Sequence, residues 1–151
     1  LANYIATLVN GGVRNATHLL KEVKSSDFTQ VLYTQEPEVL STIDIQPENL
    51  EAVKAGMLAL TTQGSVSNSF RDLPVQAGAK TGSAQVSAQT ESNAVFVCFA
   101  PYDGPEIALS IVVEHGGSGS ELGAIAADIL SYYFSAQETR EEIPAENTLI
   151  R

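Results

Sequence analysis

A chain of 151 residues with 44% apolar and 17% charged side chains is long enough to bury one core and too apolar to stay unfolded. Its formal net charge of −10 argues against a nucleic-acid or anionic-membrane partner. No apolar run approaches the ~18 residues of a membrane span, and the single cysteine, Cys98, allows no intrachain disulfide.

Leu1, Tyr4, Ile5, Leu8 and Val9 follow helical spacing from the first residue. A helix already under way at Leu1 reads as a piece of a longer protein. Asn10-Gly11-Gly12 predicts its end, because glycine takes the left-handed conformation of a C-terminal cap without a Cβ penalty. Residues 18–24 and 29–33 read as two short strands around the turn signal Ser25-Ser26-Asp27, which predicts a small hairpin. The acidic segment 36–45 is expected to be an extended surface connection.

Pro47, followed by Glu48 and Glu51, marks a second helix: proline suits the first turn, and carboxylates suit the positive end of the helix dipole. Leu50, Val53, Met57, Leu60 and Thr61 share one face, and the helix should end before Gln63-Gly64. Residues 65–72 are polar and expected to form a loop. Three strands are then predicted over 75–86, 93–100 and 106–114. The middle one is apolar on both faces, so helices should cover both faces of the sheet. Pro101-Tyr102-Asp103-Gly104-Pro105 is a tight connection that makes the last two strands an antiparallel hairpin. After a glycine-rich loop with Ser118 or Ser120 as N-cap, a last helix carries Leu122, Ile125, Ala126, Ile129, Leu130 and Tyr133 toward the sheet. From 137 to 151 the sequence turns acidic and loses its period, which predicts a disordered, solvated tail.

The chemistry concentrates in Lys80-Thr81-Gly82-Ser83, inside the first predicted sheet strand. Lys80 is one of eight basic residues among eighteen acidic ones. An ammonium, a hydroxyl donor and a backbone stripped of its Cβ are the local means to grip a carboxylate. Taken alone, Lys80 reads better as a solvated strand lysine, and Thr81 and Ser83 as ordinary strand hydroxyls. Other polar residues carry less. His115 reads as a hinge or surface residue. His18 has no cluster of ligands around it, and the spacing of Glu36, Glu38, Asp44, Glu48 and Glu51 fits no calcium loop. Arg71 and Asp72 could line a groove or form a loop ion pair. Ser65, Ser67 and Ser69 have no histidine or lysine nearby to activate them. No metal and no cofactor are expected.

Four pieces in order resemble the C-terminal part of the transpeptidase domain of a class B penicillin-binding protein. They are Leu1 to Gly12, ending in Asn-Gly-Gly; Ala55-Gly56-Met57 through Gly64-Ser65; Ala77 to Gln85 with its Lys-Thr-Gly; and Asn93 to Glu114 with the glycine loop and Ala124 to Leu130. The resemblance spans nearly the whole chain apart from about 25–46 and the tail, and makes residues 1–136 the C-terminal portion of such a domain. It implies an α+β fragment of the penicillin-binding/serine β-lactamase-like fold, with a three-stranded antiparallel sheet flanked by helices.

By the same resemblance, Lys80, Thr81 and Gly82 would bind a stem-peptide or β-lactam carboxylate, and the backbone N–H of Ser83 would be one of two oxyanion-hole donors. Ser83 stands where the family usually has threonine, and Ala79 where glycine is common. The family's nucleophile motif Ser-x-x-Lys is missing: His18, Lys21, Glu51 and Ala77 lie three residues before the four lysines. Its Ser-x-Asn is missing too, so the chain should be inactive alone. The parent is expected to cross-link peptidoglycan outside the cytoplasmic membrane, anchored by a segment not in this chain. A β-lactam-reporting sensor or a purely structural module of the same fold is the alternative. An apolar face left without its missing half predicts self-association.

Overall fold

The computed structural model describes the backbone of residues 1–142 and the side chains of residues 1–136. The first helix, α1 (Ala2–Val9), stops where Gly11 and Gly12 take φ of 84° and 87°. The turn then delivers the chain into β1 (Val13–Asn15). At Gly12 a Cβ would stand 2.1 Å from the carbonyl oxygen of Ile43, so only glycine lets those two backbones meet.

Residues 36–45 are not a bare connection. They contain β4 (Val39–Thr42), which pairs antiparallel with β1. Its partner is a three-residue strand more than twenty positions away, and both β4 faces are exposed, so no alternation marks it in the sequence. Between them lies the expected hairpin, shorter than its apolar runs: β2 (Glu22–Lys24) pairs with β3 (Val31–Thr34). Its turn is held by Asp27, whose carboxylate accepts from the hydroxyls of Ser25 and Thr29 and from the Thr29 amide. These donors, the Ser25 hydroxyl foremost, pull the Asp27 carboxyl down to about 2.

The second helix, α2 (Pro47–Thr62), begins and ends as its signals require. Residues 65–72 form more than a loop. One helical turn, α3 (Ser67–Phe70), sits there because Val66 and Phe70, four apart in a polar stretch, both plug into the core.

The central sheet has the order β5 (Gly78–Ala84), β6 (Asn93–Ala100), β7 (Ile107–Val113), all antiparallel. The pleat of β6 divides the core. Ala94, Phe96, Cys98 and Ala100 face Val66, Phe70 and the last helix, while Val97 and Phe99 face Ile5 of α1 and Met57 of α2. Helices thus cover both faces, as the unbroken apolar run demanded. Cys98 is fully buried, and that burial pushes its thiol up to about 12.

Ser118 caps a short 3₁₀ turn, Gly119–Leu122, that leads into α4 (Gly123–Glu142). A buried stripe spaced by four runs from the turn into this helix: Leu122, then Ala126, Leu130 and Phe134. Ile125 and Ile129, expected to face the sheet, are instead 48% and 38% exposed. Each lies one residue, about 100° of helix, before a fully buried one, Ala126 and Leu130. The helix continues to Glu142, through the first residues of the expected tail. The rest of that tail, 143–151, lies outside the described residues.

Candidate functional site

Strand β5 is bonded to β6 on one side only, so among the described residues its other edge has no strand partner. Helix α2 lies against its beginning, where the buried Thr61 hydroxyl donates to the Ala77 carbonyl at 2.7 Å. Beyond that contact the helix and the strand part, and a groove of about 540 Å³ opens between α1, α2 and the sheet. Leu1, Tyr4 and Val53 form its walls, Val95 and Val97 its floor, and Lys80, Thr81 and Gly82 its strand side.

The ladder register sorts the four motif residues. Lys80 lies opposite Val97 and Gly82 opposite Val95, so both share the α1/α2 face with the groove floor. Thr81 lies opposite Phe96 and Ser83 opposite Ala94, on the α4 face. The two hydroxyl-bearing residues therefore alternate with the lysine and do not stand beside it. Thr81 is half-buried and borders the groove, whereas the Ser83 hydroxyl turns to the rear and accepts from the Gly119 amide at 3.4 Å. Only the Ser83 backbone remains to serve the groove side.

Lys80 is exposed and donates to the carbonyl of Thr81. The ion pairs among the described residues are Lys24 with Glu22 and Lys54 with Glu51, so Lys80 meets no carboxylate there. An ammonium without a carboxylate partner above an apolar floor is suited to an incoming carboxylate. At Gly82 a Cβ would meet nothing closer than Val95 at 3.6 Å, which leaves bare backbone facing the groove.

The other candidates are not drawn into this site. Arg71 donates to Asn68 at 2.7 Å and lines a separate cleft of about 350 Å³ with Phe70 and Pro74. His115 lies beyond the far end of the strand, where its amide donates to the Asn93 side chain and its Nδ1 lies 3.3 Å from the Glu91 carbonyl. Sequence reasoning missed the groove's helical wall, above all Gly56, whose bare backbone faces open space. A glycine in mid-helix costs about 1 kcal/mol against alanine and was the signal to follow.

Residues 1–131 match the penicillin binding protein transpeptidase domain. Penicillin-binding protein 2A of Bacillus subtilis is 29% identical over 94% of this chain and 22% of its own length. The peptidoglycan D,D-transpeptidase MrdA of Escherichia coli K12 is 26% identical over 99% of this chain and 26% of its own. Among solved structures, penicillin-binding protein 2B of Streptococcus pneumoniae R6 superposes with a TM-score of 0.73 at 24% identity, over 89% of this chain and 24% of that one. The chain spans about a quarter of the length of the curated relatives it matches. It belongs to the penicillin-binding protein transpeptidase family, and its relatives are class B members.

Proposed function

We propose that this chain supplies the substrate-gripping wall of a peptidoglycan D,D-transpeptidase. Lys80 pairs with the terminal carboxylate of a D-alanyl-D-alanine stem peptide, or with the carboxylate of a β-lactam. Thr81 and Gly82 receive the extended ligand along the β5 edge, and the Ser83 N–H donates to the developing oxyanion of the attacked carbonyl. The observation that carries this reading is a lysine with no carboxylate partner among the described residues, on the groove face of an edge strand over the Val95–Val97 floor.

Acyl transfer also needs a nucleophilic serine and its base, and no Ser-x-x-Lys occurs in the sequence. The chain alone therefore binds weakly and transfers nothing. The longer protein acts outside the cytoplasmic membrane, held there by a segment beyond this chain. Leu1 and Tyr4, 63% and 65% exposed at the groove wall, support self-association of the isolated chain. A monomer by light scattering at high concentration rules that association out.

Labelling with a fluorescent penicillin tests the main reading. The chain as it stands should not label, and a polypeptide extended upstream through a Ser-x-x-Lys segment should. Lys80→Met in the extended form should slow labelling at least ~100-fold, as loss of a positioning charge would. If the extended form never labels, the transpeptidase reading fails. If the short chain labels, its nucleophile lies among residues assigned no such role.

A further inference from the structure

The 3₁₀ turn presses against β5 from the face opposite the groove. At Gly119 a Cβ would stand 2.3 Å from the Gly82 carbonyl oxygen, 2.4 Å from the Val95 carbonyl oxygen and 2.8 Å from the Gly82 nitrogen. All three are backbone atoms of one ladder pair, so no rotamer change relieves the conflict. A distance of 2.3 Å is about 1 Å short of ordinary contact, which is the shift that any side chain at 119 imposes on the turn or on the strand. Gly119 is itself buried, and its amide donates to the Ser83 hydroxyl at 3.4 Å. Ser118 fixes the turn from the other side: its hydroxyl accepts from the Ser120 amide and lies 2.7 Å from the Ser120 hydroxyl.

We propose that Gly119 is a positioning residue for the Gly82–Ser83 peptide, setting the height of the Lys80–Ser83 strand above the groove from behind. The role rests on the carboxylate-gripping function argued above. Gly82 is the residue with clear space in front and a close backbone contact behind. With no side chain of its own, Gly82 is held by its ladder to Val95 and by the turn packed behind it. The Ser83 hydroxyl, which faces away from the groove, acts in the same device by tying the strand to the Gly119 amide. A displacement near 1 Å in such a group costs on the order of 100-fold in a reaction that depends on its alignment.

The test is ¹⁵N NMR of the 151-residue chain, free and titrated with N-acetyl-D-alanyl-D-alanine. Gly119→Ala should move the Gly82 and Ser83 amide resonances and weaken ligand binding at least ~10-fold. Gly123→Ala is the matched control. Its Cβ would meet the Val66 side chain at 2.8 Å and no atom of β5, so it should lower stability and leave those two amides in place. If Gly119→Ala moves them no more than Gly123→Ala does, the proposal is overturned. Should Gly119→Ala not fold, Ser83 decides. Ser83→Ala should speed exchange of the Gly119 amide several-fold and Ser83→Thr should restore it, and equal exchange in both overturns the tie. A wild-type chain whose Lys80–Ser83 amides ignore the ligand sinks the functional reading instead, while the free-state comparisons still judge Gly119.

Discussion

Replacing Thr61 with valine isolates one polar contact at the root of the motif strand. The Thr61 side chain is 4% exposed, and its hydroxyl lies 2.7 Å from the Ala77 carbonyl and 2.9 Å from that of Leu58 in its own helix. One O–H can point at only one of them well, and the shorter bond crosses from α2 to the residue before β5. Valine keeps the shape but strips the proton. A buried carbonyl that loses its donor costs about 1–3 kcal/mol, more than a net hydrogen bond contributes. For a chain of this size a loss near 2 kcal/mol lowers the melting temperature by roughly 4–8 °C. Thr62→Val is the internal reference, because its hydroxyl is exposed and bonds only along the helix, to Leu58 at 2.9 Å. It should stay within about 0.5 kcal/mol of wild type. Urea unfolding with a common m-value measures both. If Thr61→Val costs no more than Thr62→Val, the helix is not held to the strand by this bond, and the argument that it anchors β5 is wrong.

Leu130 has no exposed surface and lies between α4 and the sheet, so Leu130→Ala should cost about 2–5 kcal/mol in the same urea assay. A loss below 1 kcal/mol would show that α4 packs loosely. Cys98, with its thiol pushed up to about 12 by burial, should resist a disulfide reagent at pH 8 until the chain unfolds. Rapid reaction without denaturant would contradict the packing of β6. Asp27 has a folded value lowered from 3.8 to about 2, so its turn is favoured above the unfolded value and loses that advantage as pH falls through about 2. The Thr29 amide, followed by NMR, should titrate with a midpoint near 2 and shift upward in Ser25→Ala; a wild-type midpoint near 3.8 would refute the hydrogen-bonded turn.

Much of this architecture was legible because local signals and burial agree. Pro47, Gly11 and Gly12 punctuate the helices where backbone chemistry requires it, and the two-faced apolar run of β6 announces cover on both sides. What escaped was set by distant partners. Val39–Thr42 becomes a strand only because β1 lies alongside, and its exposed residues carry no period. Val66 and Phe70 were lost in a polar stretch because two apolar residues are too few to mark a helix by pattern. At the site, strand alternation already separates Lys80 from Ser83, but only the packing of α1 and α2 shows that the Lys80 face is the one that meets the groove. Gly119 was invisible for a similar reason: in sequence it is one glycine of a loop, and its role appears only where it meets Gly82.

The outlying ribbons have a consequence for how the chain tolerates change. Strands β2 and β3 contact mainly each other, and Leu19, Phe28 and Leu32 contribute no burial to either side of the central core. A two-stranded hairpin of this kind is marginal in water. The segment from about 16 to 38 should therefore open with a free energy far below that of the whole domain, exchanging its amides while β6 stays protected. Lengthening or shortening it by a residue pair changes only a surface excursion whose two ends are already pinned by β1 and β4. The domain can thus vary its reach at this point while the Lys80 strand, rooted at Thr61 and backed by Gly119, keeps its geometry.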